Sequence, residues 1–203
     1  GNYRFAGTTS NPVINEGAIS ASEGGTIALL AAQVVNEGSL RADGGNVLIG
    51  AGDSITLDMG GPVKLQVDNA VLETLIRNGG AIRADGGTVW MTSQAAGALL
   101  SSVINNSGTI EATGKYADAI VASGPSIFIT NTEDGVISSD DGYAIYAFDT
   151  KYASIVNHGD IYGDVIVVAE GFYEFDASTY VLNTGLIDGD LDTSGGYSDD
   201  TII

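Results

Sequence analysis

The chain has 203 residues, and 26 acidic side chains against 7 Lys and Arg give it a formal net charge of -19 at pH 7. A surface this negative repels phosphate backbones and anionic lipid, so the composition argues against nucleic-acid binding. Cysteine is absent, which removes disulfides, thiolate metal sites and a thiol nucleophile together. No apolar run approaches the roughly 20 residues of a membrane-spanning helix, so we expect no membrane insertion.

A sequence motif of the form Asn-x-Gly-x-(Ile/Leu), here called the Asn-Gly motif, recurs along the chain. Its copies are NEGAI at Asn15, NEGSL at Asn36, NGGAI at Asn78, NSGTI at Asn106, a stretched NTEDGVI at Asn131, NHGDI at Asn157 and NTGLI at Asn183. The steps between these asparagines are 21, 42, 28, 25, 26 and 26 residues. Because 42 is twice 21, the spacing predicts one degenerate copy near Leu57 and about eight repeats in total.

Short strands occupy the rest of each repeat. In GNVLIG (45–50) and GTVWM (87–91), apolar residues alternate with small or polar ones, as in a strand with one buried face. Glycine pairs at 24–25, 44–45 and 86–87 interrupt the strands where a corner favours positive φ, and we expect Gly38 to share that conformation. The asparagine amides are expected to stack from repeat to repeat.

Three short strands and their corners use about 20–26 residues, which predicts a right-handed parallel β-helix of about eight coils of ~21–26 residues. The predicted core columns contain Ile19, Ile27, Leu29, Leu40, Val47, Ile49, Ile82, Val89, Met91, Ile110, Ile137, Ile161 and Ile187.

Two segments depart from the strand pattern. DNAVLETLI (68–76) and SQAAGALLSSVI (93–104) contain few β-branched residues, and Asp68 and Ser93 are suitable N-caps. The sequence therefore predicts two short helices on the outside of the β-helix.

Composition changes near residue 114. The first part has 10 acidic and 5 basic residues, whereas the second has 16 acidic and 2 basic residues and 8 of the 9 tyrosines. We therefore divide the chain into β-helix coils 1–113 and acidic, aromatic-rich coils 114–203. Since the Asn-Gly motif continues through the change, both parts are expected to belong to the same rod.

The sequences of the repeats resemble those of two protein families. The stretch beginning NEGSLRADGGNVLIGAGDSITL, within roughly residues 10–113, closely resembles filamentous haemagglutinin-like exoproteins of two-partner secretion. GYAIYA, NHGDIYGDV and NTGLIDGDLD, within residues 114–203, resemble the passenger repeats of large autotransporters. The resemblance implies secretion from a Gram-negative bacterium through an outer-membrane transporter, a secreted or surface-attached location, and a role in adhesion or biofilm.

The residues do not suggest catalysis. Acids lie mostly beside glycine at corners, where Asp is a turn former, and only Lys115 and Lys151 are basic after residue 114. The single histidine, His158, occupies the variable position of NHGDI, which predicts an exposed corner. We therefore assign no catalytic, cofactor-binding or metal-binding residues and expect no cofactor.

Two segments nevertheless raise binding hypotheses. GFYEFDASTY (171–180) concentrates aromatic and acidic residues, so it is either an aromatic column over the core or a bulge that binds sugar or protein. The acids Asp188, Asp190, Asp192, Asp199 and Asp200 include a D-x-D-x-D run and one nonapeptide-like GGYSDDTII, in which Ser198 replaces the usual glycine. A calcium β-roll needs adjacent repeats, so solvated corners are the simpler interpretation and calcium binding stays open.

The sequence thus predicts a non-catalytic segment of a secreted or cell-surface adhesin, whose partner is a glycan or protein on a host or bacterial surface. Two alternatives remain at this point: a carbohydrate-active β-helix enzyme, and the stalk of a contact-dependent toxin-delivery exoprotein.

Overall fold

The computed structural model describes residues 1–7, 9–59, 64–69, 75–93, 104–123, 126–169, 177–193 and 198–203. Within these ranges every regular element is a β-strand, and no residue is helical. The chain is therefore an all-β protein in the part that the structure describes.

The strands are numbered in chain order. The first eight are β1 (Asn2–Ala6), β2 (Pro12–Asn15), β3 (Ala18–Ala21), β4 (Ile27–Ala31), β5 (Gln33–Asn36), β6 (Ser39–Ala42), β7 (Val47–Ala51) and β8 (Ser54–Asp58). The next eight are β9 (Lys64–Asn69), β10 (Leu75–Asn78), β11 (Ala81–Asp85), β12 (Val89–Ser93), β13 (Ile104–Asn106), β14 (Thr109–Thr113), β15 (Ile120–Ser123) and β16 (Ser126–Asn131). The last are β17 (Val136–Thr150), β18 (Tyr152–Asn157), β19 (Asp160–Ala169), β20 (Ala177–Asn183), β21 (Leu186–Asp188), β22 (Leu191–Asp192) and β23 (Ser198–Ile202).

Two large parallel sheets and one small antiparallel sheet contain these strands. Sheet A has the order β1-β8-β9 and is antiparallel. Sheet B has the order β2-β5-β10-β13-β16-β18-β20-β23, and all its pairs are parallel. Sheet C has 12 strands, with the path β3-β6-β11-β14-β17-β15-β12-β7-β4 and with β19, β21 and β22 attached beyond β17.

The chain visits sheets B and C in a repeated order. One strand in sheet B is followed by two short strands in sheet C, as in β10, β11 and β12 or β13, β14 and β15. The long strands β17 and β19 each take the place of two short ones, since β17 pairs with both β14 and β15, and β19 with both β21 and β22. Successive repeats therefore lie one strand apart in the same register.

Isoleucine and leucine side chains align across the parallel strands and form the core. The pairing sets Ile19, Leu40, Ile82, Ile110, Ile137, Ile161 and Ile187 side by side in one column. The five central residues of this column are at most 1% exposed, whereas Ile19 in the outermost strand is 37% exposed. Ten of the thirteen predicted core residues are buried, whereas Leu29 and Ile187 are partly buried and Ile19 is exposed. These three lie in β4, β21 and β3, which are paired on one side only.

A continuous ladder of asparagine side chains, here called the asparagine ladder, runs along sheet B. It comprises Asn15, Asn36, Asn78, Asn106, Asn131, Asn157 and Asn183. Each Nδ2 donates to Oδ1 of the next asparagine at 2.7–2.9 Å. The five central residues are at most 1% exposed, so these hydrogen bonds satisfy amides that burial would otherwise penalise. The predicted stacking of the amides is confirmed.

Glycine fills two different positions at the corners. Gly24, Gly44 and Gly86, the first members of the predicted pairs, have φ of 73°, 64° and 79°, which confirms the left-handed corner. Gly38 is not among the residues with positive φ, so that part of the prediction is wrong. Its requirement is steric instead, because a Cβ at Gly38 would overlap the carbonyl oxygen of Gly17 in the preceding repeat.

The predicted degenerate repeat near Leu57 is also wrong. Asn36 donates directly to Asn78 at 2.8 Å, and β5 pairs directly with β10, so no strand of sheet B lies between them. Leu57 belongs instead to β8, within antiparallel sheet A. Sheet A packs its apolar face on the outward side of β7, where Leu48 joins Ile55, Leu57, Leu65 and Val67 in a second apolar cluster. The additional residues of this 42-residue step therefore build an attachment to the stack.

The structure does not support the two predicted helices. For 68–76, residues 68 and 69 close strand β9 and residues 75 and 76 open strand β10, while 70–74 lie outside the described residues. For 93–104, Ser93 ends β12 and Ile104 begins β13, and 94–103 lie outside the described residues. Strand pairing decides the conformation at both ends of each segment, with β8 of sheet A for residues 68 and 69 and with adjacent repeats for the other ends, and local helix propensity does not.

The close approach of glycines in neighbouring repeats yields a stability prediction. Gly38→Ala should lower the free energy of unfolding by about 1–3 kcal/mol, because its Cβ would overlap backbone that has to shift. Gly17→Ala is the matched control, since no atom lies within 4 Å of a Cβ at that glycine. Equal chemical-denaturation midpoints for the two variants would contradict the close approach.

The asparagine ladder yields a second stability prediction. Asn78→Leu leaves the Nδ2 of Asn36 and the Oδ1 of Asn106 without their ladder partners, so we expect a loss of about 2–5 kcal/mol in the free energy of unfolding. Asn183→Leu removes only the bond from Asn157 and should cost less than half as much. Thermal and urea melts would measure both, and an equal or larger loss at Asn183 would oppose the ladder as a source of stability.

Candidate functional site

An aromatic cleft lies on the outward side of β7, β12, β15 and β17. The register aligns Leu48, Trp90, Val121 and Tyr146 in successive strands. Side chains alternate across a strand, and burial of Val47, Val89 and Met91 turns Leu48 and Trp90 outward. The cleft is a cavity of about 320 Å³. Its lining residues are Asn46, Leu48, Thr88, Trp90, Asp118, Val121, Tyr146 and Phe148.

Contiguous aromatic rings form one side of the aromatic cleft. Trp90 and Phe148 meet edge to face, with ring centroids 6.0 Å apart and planes at 89°. Phe148 stacks on Tyr146 at 5.1 Å and 23°, and Tyr146 contacts Tyr143 at 5.4 Å. Trp90, Tyr146 and Phe148 are only partly buried, so the rings present accessible surface as well as supporting one another.

Polar residues that precede the strands form a rim of the aromatic cleft. Asn46 and Thr88 come directly before β7 and β12, and Asp118 lies two residues before β15. The rim is held by hydrogen bonds between repeats: Thr88 N donates to Asn46 Oδ1 at 3.2 Å, and Val89 N donates to the Asp118 carbonyl oxygen at 3.1 Å. The aromatic cleft therefore combines an apolar face with a fixed row of polar groups, the usual composition of a ligand pocket.

Asp118 is the only carboxylate among the residues that line the aromatic cleft. Partial burial raises the pKa of Asp118, while the hydrogen bond that its Oδ1 accepts from Tyr143 N at 2.9 Å opposes the rise. The indole N–H of Trp90 is buried and has no acceptor among the described residues. Glycoside hydrolysis generally uses a pair of carboxyl groups, and the described lining of this cleft contains one.

The acids of the calcium hypothesis divide between two sheets. Asp188 ends β21 and Asp192 ends β22 in sheet C, whereas Asp199 and Asp200 lie in β23 of sheet B. Asp190 donates its backbone N–H to Asp164 Oδ1 at 2.8 Å, and Asp200 Oδ2 accepts a hydrogen bond from Thr193 at 2.9 Å. Among the described residues, no three acidic or histidine side chains come together as a metal site would need.

Other residues singled out in the sequence are dispersed. His158 is exposed as predicted, and its Nδ1 contacts Thr184 in the next repeat. Lys115 and Lys151 lie over the rings of Tyr116 and Tyr152, at 5.0 and 5.1 Å from Nζ to the centroid. For the aromatic segment 171–180, residues 171–176 lie outside the described residues, and residues 177–180 form part of β20.

The aromatic cleft is not predicted from the sequence, although the sequence contains one signal for it. The same alternation that assigned Val89 and Met91 to the core places Trp90 on the outer face. Tyr146 and Phe148 likewise flank buried Ala147 in GYAIYAFDT. Their proximity to Trp90 depends on the pairing of β17 with β15 and of β15 with β12, which the repeat spacing does not specify.

No protein-family model matches the chain, and no curated protein is significantly similar to it in sequence. Among the described residues, no helix is long and apolar enough to cross a membrane.

The raised pKa of Asp118 gives a prediction of pH dependence. An ionised Asp118 disfavours the folded state, so Asp118→Asn should increase the free energy of unfolding at pH 7. This gain should shrink as the pH falls through the raised pKa, and it should be smallest below the ordinary value of 3.8. Urea melts of both proteins from neutral to acidic pH would measure it. A gain that grows on acidification would contradict the assignment.

The acidic second part of the chain predicts a general response to cations. This part has 16 acidic and 2 basic residues. Adjacent strands of a sheet are about 4.8 Å apart, and like charges at that spacing repel by about 1 kcal/mol or less per exposed pair. Millimolar Ca²⁺ should therefore raise the melting temperature modestly, and NaCl or MgCl₂ of equal ionic strength should do nearly as well. Saturable one-to-one Ca²⁺ binding in calorimetry, abolished by Asp200→Ala, would contradict diffuse screening.

Proposed function

We propose that the chain is a right-handed parallel β-helix that serves as a non-catalytic segment of a secreted or cell-surface bacterial adhesin. The observation that supports it best is the asparagine ladder, whose six consecutive hydrogen bonds between side-chain amides join seven repeats in one register. Such a ladder fits one coil per repeat, and eight strands spaced about 4.8 Å apart correspond to a rod of roughly 35–40 Å.

A rod of this kind suits display. Each repeat contacts mainly its neighbours, so length is added without a larger core, and the sides offer extended surface for binding. The net charge of -19 favours solubility outside the cell. The aromatic cleft supplies a concave patch on that surface. These features support adhesion to a glycan or protein of a host or bacterial surface. Export through an outer-membrane transporter from a Gram-negative bacterium completes the proposal and rests on the resemblance of the repeats to secreted exoproteins.

The carbohydrate-active enzyme is the less favoured function. Cleavage of a polysaccharide needs paired carboxyl groups, or carboxylates that hold Ca²⁺ beside a basic residue. In the aromatic cleft, Asp118 has neither a second carboxylate nor a Lys or Arg among the described lining residues. A stalk for toxin delivery would share every feature of the rod, and the sequence that flanks the chain would distinguish it.

Two measurements test the proposed function together. Beads coated with the chain should adhere to bacterial or epithelial cell surfaces more than beads coated with an unrelated protein of equal negative charge. The soluble chain should release no reducing ends or unsaturated products from a panel of neutral and acidic polysaccharides. Turnover that an Asp substitution abolishes would favour the enzyme, and adhesion equal to the acidic control would reject the adhesin.

A further inference from the structure

We propose that the aromatic cleft is a subsite for one or two pyranose rings of a neutral glycan. The inference rests on the proposed function, since it assigns a ligand class to the adhesive surface. It is carried by one juxtaposition: the aromatic residues Trp90, Tyr146 and Phe148 border the same cavity of about 320 Å³ as Asp118. This volume lies at the lower end of the range of about 300–1,000 Å³ for ligand pockets.

The aromatic side of the cleft matches one face of a sugar ring. A pyranose exposes a patch of C–H groups on its face and hydroxyl groups around its edge. An aromatic ring carries negative charge density on its face, so it attracts the slightly positive C–H hydrogens while both apolar surfaces leave water. Tyr146 and Phe148 stack at 5.1 Å and hold each other in place, which lowers the entropy lost on binding.

The polar rim matches the hydroxyl edge. Asp118 lines the cavity, and its Oδ1 accepts a hydrogen bond from Tyr143 N at 2.9 Å, which restrains the orientation of the carboxyl group. A carboxylate has two oxygens and about four lone-pair sites, so it can accept further hydrogen bonds from adjacent sugar hydroxyls.

Charge selects among glycans. The chain carries a net charge of -19, and Asp118 is the only charged side chain among the described residues that line the cleft. Uronic acids, sialic acids and phosphorylated sugars would approach this carboxylate with like charge, and no Lys or Arg among the described lining residues would compensate. Neutral hexose polymers avoid that repulsion. A small, open site of this type binds one chain weakly, and many copies on a surface would add avidity.

The experiment uses the full chain and its single tryptophan, Trp90, as the reporter. Maltohexaose, cellohexaose and mannohexaose are titrated separately, with hexagalacturonate as the acidic comparison. We expect a saturable change in Trp90 fluorescence with at least one neutral hexasaccharide and none with hexagalacturonate. Calorimetry with the same sugar provides the dissociation constant.

Two variants and a control locate the binding. Asp118→Asn keeps the size of the side chain and should weaken binding about tenfold, because it replaces a charge-assisted hydrogen bond with a neutral one. Tyr146→Ala should abolish saturation. Tyr162→Ala removes a tyrosine that is 40% exposed and is not among the residues that line the cleft, and it should leave the dissociation constant unchanged. Circular dichroism checks that each variant is folded.

The inference is overturned if no neutral hexasaccharide binds, if only hexagalacturonate binds, or if Tyr146→Ala and Asp118→Asn bind as tightly as the parent chain. It is also overturned if a hydrophobic peptide competes with the sugar for the aromatic cleft, because the cleft would then be an unselective apolar surface. Bead adhesion separates this failure from failure of the proposed function. Coated beads that adhere although no sugar changes Trp90 fluorescence would leave the adhesin in place and reject the glycan subsite.

Discussion

The hydrogen bond between the side-chain amides of stacked asparagines is the constraint on which the rest of the structure depends. An asparagine at the end of a buried strand has two donors and an acceptor that cannot reach water, and the next repeat supplies the missing partner. Asn106, for example, donates to Asn131 Oδ1 and to the Gly108 carbonyl oxygen, both at 2.9 Å. Each repeat thus fixes the register of the following one, and the core columns follow from that register.

The parts of the fold that the sequence predicts are those set by this register. Ile82 and Ile110 face each other in the core because their asparagines, four residues earlier in the chain, are paired. Glycine at 44 and 86 has positive φ because the corner recurs at the same offset. These positions repeat the same local chemistry in each copy, so the spacing alone identifies them.

The parts that the sequence does not predict depend on contacts outside the repeat. Residues 54–58 have the alternation of any other strand, yet they pair antiparallel with β1 and β9 instead of entering sheet B. Gly38 was assigned a dihedral requirement, whereas its actual constraint is the neighbouring chain at Gly17. The aromatic cleft has the same origin: Trp90 and Phe148 are 58 residues apart and meet only through the pairing of three strands.

Sheet A also separates two quantities that are usually linked in a protein, the number of residues and the distance that they cover. Asn36 and Asn78 are 42 residues apart in the chain, twice the separation of Asn15 and Asn36. Each of these pairs is nevertheless joined by one hydrogen bond of the asparagine ladder. The length of the stack of repeats therefore follows the number of asparagines in the ladder and not the number of residues between them. Residues can therefore be inserted into an attachment such as sheet A without changing the length of the stack of repeats. The stack becomes longer only when a complete repeat with its own ladder asparagine is added.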